Sequence, residues 1–347
     1  MSAEQHEAPP SPEGPLGPGQ PAASRDRAIA FSTENELPLR ENVAFKFGGS
    51  SLDGAKRLRH AAALVRDAAA HAAVTVVVSA MKGVTDRLLG VAHLLAEGRN
   101  QSARREAEAL VELHFAVLRD LKLASPDHHR VAHELDLLRS DLLYEIPLHG
   151  HAPISAAFFD RLASFGERFS ARLFAAALVL SGVPAVPVSS SDFVLTCDNF
   201  REAQPRLEPT RQRGRALLLP LLAAGIVPVV TGFIGATPDG RITTLGRNSS
   251  DFSGALVAHV VDAEELVIWT DVDGIYTANP RESEEARLLG ELSYEEAHAL
   301  AVSGAKVLHP RVLPLAAETR MTVWVRNSFK PELRGTRIGP QPKGGAA

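Results

Sequence analysis

The sequence predicts an α/β fold in which a largely parallel central sheet is covered by helices on both faces. Short β-branched runs recur along the chain, each bounded by Gly, Pro or Ser. Longer stretches with helical spacing lie between them. The two kinds of segment alternate, as parallel strands joined by crossover helices require.

Residues 1–28 are dense in Pro, Gly, Ser, Ala and Glu, with almost no large apolar side chain. Such a segment cannot offset its ordering entropy and is expected to be a disordered tail. A folded domain is expected over 41–339, and 340–347 reads as a flexible end. The predicted strands are 43–47, 74–79, 183–188, 226–233, 241–245, 266–270 and 321–326. The predicted helices are 52–70, 84–97, 102–122, 129–144, 156–181, 208–224, 251–262 and 293–303. The block 84–150 is nearly all helical and reads as an insertion between sheet strands.

Bulk properties exclude several classes. A net charge of −4 lacks the basic excess that nucleic-acid binding calls for. Cys197 is the only cysteine, so no internal disulfide forms, which fits a cytoplasmic protein. No apolar run reaches the length of about 18 residues that suggests a membrane span, and the N-terminus does not read as a secretory signal. His128, His129, His149 and His151 lack carboxylates or cysteines at metal-ligand spacing. There is no P-loop, dinucleotide fingerprint or nucleophile elbow.

Several segments carry polar chemistry. Lys46-Phe47-Gly48-Gly49-Ser50-Ser51 ends the first apolar run. Paired glycines let a backbone approach a ligand, and a lysine beside them suits a phosphate; a plain tight turn is the alternative. In 156–181, Phe158, Leu162, Phe165, Phe169 and Leu173 form one apolar stripe. Asp160, Ser164, Glu167 and Ala171 form another, polar or small. Spacing alone favours a solvated face or an ion pair with Arg161 or Arg168 for Glu167; a carboxylate presented into a cleft is the functional reading. In 243–255 a strand, a polar loop and a helix follow one another. Ser250 or Asp251 stands where an N-cap belongs, and Arg247 sets a guanidinium at the same helix mouth. The loop 270–281 follows a buried strand, where ligands of open α/β sheets bind. Ser303-Gly304-Ala305-Lys306-Val307-Leu308-His309-Pro310 reads as a helix end followed by a lysine.

Taken together, 46–51, Phe165-Gly166-Glu167-Arg168, 246–251, 270–281 and 304–310 occur in the order seen in aspartate kinases. The chain resembles that group of the amino acid kinase family over 43–339, and its 247–251 loop is similar to that of the bifunctional enzymes. The resemblance implies a three-layer amino acid kinase-like fold with a nucleotide-binding lobe over about 225–339. It implies transfer of the γ-phosphoryl of ATP, with Mg²⁺, to the side-chain carboxylate of L-aspartate, giving 4-phospho-L-aspartate and ADP for biosynthesis of the aspartate-family amino acids lysine, threonine and methionine. A carboxylate nucleophile, with an ordinary pKa of about 3.9, needs no general base, so catalysis rests on positioning and charge neutralisation.

By the same resemblance Lys46 contacts the transferred phosphate, Gly48 and Gly49 cradle it, and Asp251 organises the lysines or a metal-bound water. Glu167 would take the substrate ammonium and Arg247 its α-carboxylate, with Ser50, Thr85 and Ser250 also binding substrate. Thr270, Asp271, Tyr276, Arg281, Lys306 and Val307 would hold the nucleotide. A homodimer is implied as well. Two departures stand out: Ser249 replaces a glycine, which is unfavourable if φ there is positive, and Lys82 replaces a small residue. Only a short segment follows 321–326, so no inhibition by lysine or threonine through C-terminal ACT domains is expected. The alternatives are a kinase of the same fold for another acidic amino acid, or a catalytically silent regulatory subunit.

Overall fold

The computed structural model describes residues 41–146, 154–278, 283, 285–302 and 308–340. The predicted tail at 1–28 and the predicted end beyond Pro340 lie outside these residues. The described chain begins with β1 (Asn42–Phe47), α1 (Ala55–Ala69) and β2 (Ala73–Val78). Helices follow: α2 (Val84–Ala96), α3 (Asn100–Leu121), α4 (Ser125–Tyr144), α5 (Ala156–Ala163) and α6 (Phe165–Leu180). Then come β3 (Ala185–Val188), α7 (Leu207–Ala223), β4 (Val227–Thr231), β5 (Ile234–Ala236), β6 (Ile242–Thr244), α8 (Ser250–Val260) and β7 (Glu265–Thr270). The last elements are β8 (Ile275–Tyr276), β9 (Leu288–Leu289), β10 (Glu291–Leu292), α9 (Tyr294–Val302), α10 (Val312–Thr319), β11 (Thr322–Asn327) and β12 (Thr336–Ile338).

An eight-stranded sheet runs in the order β10-β12-β11-β7-β1-β2-β4-β3. Its pairings are parallel except β11 with β12, so the predicted fold class holds. Alternation along β1 assigns its side chains. Phe45 and Phe47 enter a core shared with α1 to α6. Ala44 enters a second core, shared with α7 to α10. Lys46, two residues on from Ala44, therefore lies on the α8 side.

The differences from expectation have local causes. The predicted helix 156–181 meets as two helices at Ser164, whose hydroxyl donates to Arg161 O at 2.7 Å, a bond that competes with regular helix. Its five-residue apolar stripe is nonetheless buried throughout. β4 ends at Thr231, before the expected 233, because the chain turns at Gly232 and Phe233 adopts φ +66°. The strands β5, β8, β9, β10 and β12 are too short to show a period, and α10, with Pro314 inside it, was not expected. Within 84–146 the described residues form α2, α3 and α4. Among the described residues no helix is long and apolar enough to cross a membrane.

Candidate active site

The carboxyl ends of β1, β2 and β7 lie side by side, and the polar segments gather there. Lys46 is 6% exposed, and its Nζ lies 2.7 Å from Asp251 Oδ1 in the first turn of α8. Gly254, one turn on, makes room for the lysine: a Cβ there would sit 3.1 Å from Lys46 Cβ. The turn after β1 depends on glycine in the same way. A Cβ on Gly49 would fall 2.6 Å from Ala80 O. Gly48 N–H donates to Trp269 O at 3.2 Å, so that amide ties β1 to β7 instead of facing an anion, a correction to its expected role in the cradle. A Cβ on Gly48 would stand 3.6 Å from Lys46 Nζ, an ordinary contact, so Gly48 lies beside the ammonium without being required there for room. Ser50 O accepts from Arg57 Nη1 at 2.5 Å.

Glu167 corrects the reading favoured by spacing. It is 3% exposed, not on a solvated face, and Arg161 and Arg168 pair instead with Glu145 and Asp141. Gly166 allows this depth, because a Cβ there would clash with Ala80 Cβ at 2.6 Å. Glu167 Oε1 accepts from Ala80 N at 3.1 Å, while Oε2 has no partner. Burial pushes the carboxyl up to about 8, against the opposing pull of the Ala80 amide and the Lys46 charge.

The 246–251 loop also departs from expectation. Ser249, not Ser250 or Asp251, is the N-cap of α8, and it makes no side-chain cap bond. Ser250 Oγ instead accepts from Ser79 Oγ at 2.8 Å, and Asp251 holds Lys46. The positive φ falls on Asn248 at +60°, while Ser249 has an ordinary −80°, so the serine carries no left-handed strain. Arg247 is 80% exposed and pairs with Asp86 at 2.8 Å, next to Thr85 in the first turn of α2. A cleft of about 280 Å³ opens here, lined by Asp86, Leu89, Phe159, Asp160, Phe233 and Arg247.

On the nucleotide side, Thr270 Oγ1 donates to Asp271 Oδ1 at 3.4 Å, and Tyr276 lies on β8. Arg281, Lys306 and Val307 fall outside the described residues. The structure thus brings Lys46, Gly48, Gly49, Ser250, Asp251 and Glu167 together, keeps Thr85 and Arg247 at the rim, and sets Thr270 at the end of β7. Sequence reasoning missed Ser328, whose hydroxyl contacts Ser51 Oγ at 2.8 Å and Thr270 O at 3.1 Å, pinning the turn after β1 to β7. The only signal was a polar Asn-Ser pair closing the strand at 327–328. Among the described residues no group of three or more His, Cys, Asp or Glu could hold a metal ion. A buried cation, an unpartnered buried carboxylate and a mobile-length arginine at the rim can together bind a zwitterion and an anion.

Residues 43–327 match the model of the amino acid kinase family. The chain is 34% identical over 340 residues to bifunctional aspartokinase/homoserine dehydrogenase 1 of Zea mays, covering 94% of this chain and 35% of that protein. It is 34% identical over 302 residues to lysine-sensitive aspartokinase 3 of Escherichia coli K12, covering 86% of this chain and 64% of that protein. The structure of E. coli aspartokinase III in complex with aspartate and ADP superposes with a TM-score of 0.77 at 33% identity, covering 88% of this chain and 66% of that one. The chain therefore spans about a third of the bifunctional relative and less than two thirds of the E. coli one.

Proposed function

The chain belongs to the amino acid kinase family, and from that premise we propose that it is an aspartate kinase, passing the γ-phosphoryl of ATP to the side-chain carboxylate of L-aspartate. The observation that carries this reading is Glu167: a fully buried carboxylate with a free oxygen, beside Lys46, in a fold otherwise rich in paired charges. A buried group left unpartnered marks where a ligand supplies the partner. An α-ammonium is such a partner. It would draw Glu167 into its ionised form, while Arg247 leaves Asp86 for the α-carboxylate. Thr85, Ser50 and Ser250 complete the amino acid subsite in this reading.

The substrate's β-carboxylate is then a nucleophile that is already ionised. What the protein must supply is alignment and positive charge. Lys46, held by Asp251, neutralises the phosphoryl oxygens as charge builds on them, and its burial strengthens that interaction. Gly48 and Gly49 keep the approach clear, and Thr270, Asp271, Tyr276, Arg281, Lys306 and Val307 form the nucleotide side. Mg²⁺ fits a site of this kind, since it takes most of its ligands from phosphate and water and Asp251 is the carboxylate at hand. When bound it would supply further positive charge to the phosphates. In this reading 41–339 is the catalytic domain, 225–339 its nucleotide-binding lobe and 84–150 its helical insertion. The protein would work as a cytoplasmic homodimer, in biosynthesis of aspartate-family amino acids.

The test is incubation with ATP, Mg²⁺, hydroxylamine and either aspartate or glutamate, reading the hydroxamate. Signal with aspartate supports the reading. Signal with glutamate alone overturns the substrate, and no signal with either favours a silent regulatory subunit.

A further inference from the structure

We propose that Asp160 is a positioning residue for the amino acid substrate, a buried strut that fixes the loop carrying Arg247 to α5, the helix that leads through Ser164 into α6, which carries Glu167. The inference rests on the aspartate kinase reading and goes beyond it, because Asp160 need touch neither substrate.

The observations are these. Asp160 is 2% exposed, yet all the hydrogen bonds of its carboxylate run away from its own helix. Its Oδ2 accepts from Thr244 N and from Arg201 N, each at 2.8 Å. Its Oδ1 accepts from Thr244 Oγ1, also at 2.8 Å. Thr244 ends β6, three residues before Arg247. Arg201 sits in the neighbouring loop with φ +74°, a left-handed conformation that a non-glycine residue holds only when its surroundings impose it. Thr244 O accepts from Ala203 N at 2.9 Å, which closes loop and strand end into one unit. The Arg201 guanidinium covers Phe159, the residue before Asp160, at 5.2 Å. On the other side, Asp160 lies on α5, seven residues before Glu167, and the chain passes through the junction at Ser164 into the first turn of α6, where Glu167 stands.

The two charges proposed to hold the substrate's ammonium and carboxylate thus come from elements far apart in sequence, and one carboxylate ties the strand end before Arg247 to α5, which runs directly into the helix of Glu167. Binding an amino acid by both ends demands that the separation of its partners be held to about 0.5 Å. A β6 end free to shift would weaken aspartate binding and leave the nucleotide side, which sits beyond β1 and β7, unaffected.

Steady-state kinetics of Asp160 variants in the hydroxamate assay test this. Asp160→Ala is expected to raise KM for aspartate about tenfold or more, with KM for ATP within about twofold. Asp160→Asn is expected to restore KM for aspartate to within about threefold of wild type. Its amide oxygen can accept both backbone N–H groups, and Thr244 can turn its hydroxyl to accept from the amide. Should Asp160→Ala fail to fold, Thr244→Val removes one donor and keeps both backbone bonds; a selective rise of about threefold in KM for aspartate is expected. An unchanged KM for aspartate, an equal rise in both KM values, or an Asn variant as impaired as the Ala variant overturns the proposal. Wild-type turnover separates the two readings. A wild type inactive on aspartate overturns the function and this inference with it, whereas an active wild type with unselective variants overturns the strut alone.

Discussion

Lys46 and Asp251 meet at 2.7 Å, and their burial is unequal: the lysine side chain is 8% exposed and the aspartate 20%. The pair joins the central strand β1 to the first turn of α8. Removing the two partners has different consequences. Asp251→Ala strands a buried ammonium and is expected to cost about 1–3 kcal/mol of stability as well as activity. Lys46→Met leaves a carboxylate at a helix N-terminus, where the macrodipole favours it, and packs an apolar stem against Gly254. Its stability should equal or exceed wild type while kcat falls by about 10²-fold or more. Thermal unfolding and the hydroxamate assay read both quantities, and a Lys46→Met protein as destabilised as Asp251→Ala contradicts this account.

In the aspartate kinase reading, Glu167 would make aspartate binding a proton-linked event. Burial raises its carboxyl from 4.5 to about 8, so the unliganded protein holds a proton there near neutrality. An ammonium bound at Oε2 favours the ionised form. Aspartate binding at about pH 7 should therefore release close to one proton, and affinity should rise by up to about tenfold per pH unit toward pH 8. Calorimetry in two buffers of different ionisation heat measures the proton count; a buffer-independent heat rules the linkage out. The sign for stability follows from the same shift. The folded pKa lies above the unfolded one, so stability is complete below about pH 4.5 and declines as pH rises toward 8. Glu167→Gln should stabilise the unliganded protein at about pH 8, by an amount on the order of a few kcal/mol.

What was legible in the sequence follows from the range of the interactions involved. The period of two along β1 assigns Phe45 and Phe47 to one face and Lys46 to the other, and needs only neighbouring residues. The depth of Glu167 was illegible because it depends on Gly166 packing against Ala80, which is remote in sequence and adjacent in space. Ser250 illustrates the same limit. Its place before a helix suggests a cap, but Ser79 at the end of β2 supplies a better partner. Asp160 and Ser328 act wholly through contacts of this kind, so no local pattern announces them. The order of the motifs along the chain carries no information on which of these groups are buried.

Asn248 and Ser249 offer a direct contrast. The missing glycine at Ser249 reads as a source of strain, yet the left-handed residue is Asn248, at φ +60°. Asparagine tolerates that region better than other non-glycine residues. Asn248→Gly should leave stability nearly unchanged, whereas Asn248→Val should cost about 1–2 kcal/mol. Ser249→Gly should be less stable than Ser249→Ala by about 0.5–1 kcal/mol through added freedom of the unfolded chain, since both remove the buried, unpartnered Ser249 hydroxyl and only glycine would relieve a left-handed backbone. Denaturant midpoints of the four variants decide the matter, and a Ser249→Gly protein more stable than Ser249→Ala would place the strain at the wrong residue.

His114 sets a limit on acid stability. It is fully buried, stacks on Phe169 with ring centroids 4.4 Å apart, and donates from Nδ1 to Leu110 O at 2.6 Å. Its Nε2 has no partner, so a second proton there would be buried without an acceptor. Burial, helped by the Arg87 charge, lowers its pKa from 6.5 to about 4. The unfolded chain takes up the proton first as pH falls. The His114 contribution to stability is thus complete above about pH 6.5 and is lost progressively down to about pH 4, a span of about 3 kcal/mol. His114→Phe keeps the stacking and cannot titrate. Glu167 contributes with the opposite sign over part of this range, so the informative quantity is the difference between wild type and variant. That difference should shift in favour of the variant as pH falls from about 7 to 5, and parallel stability curves would remove His114 as the cause.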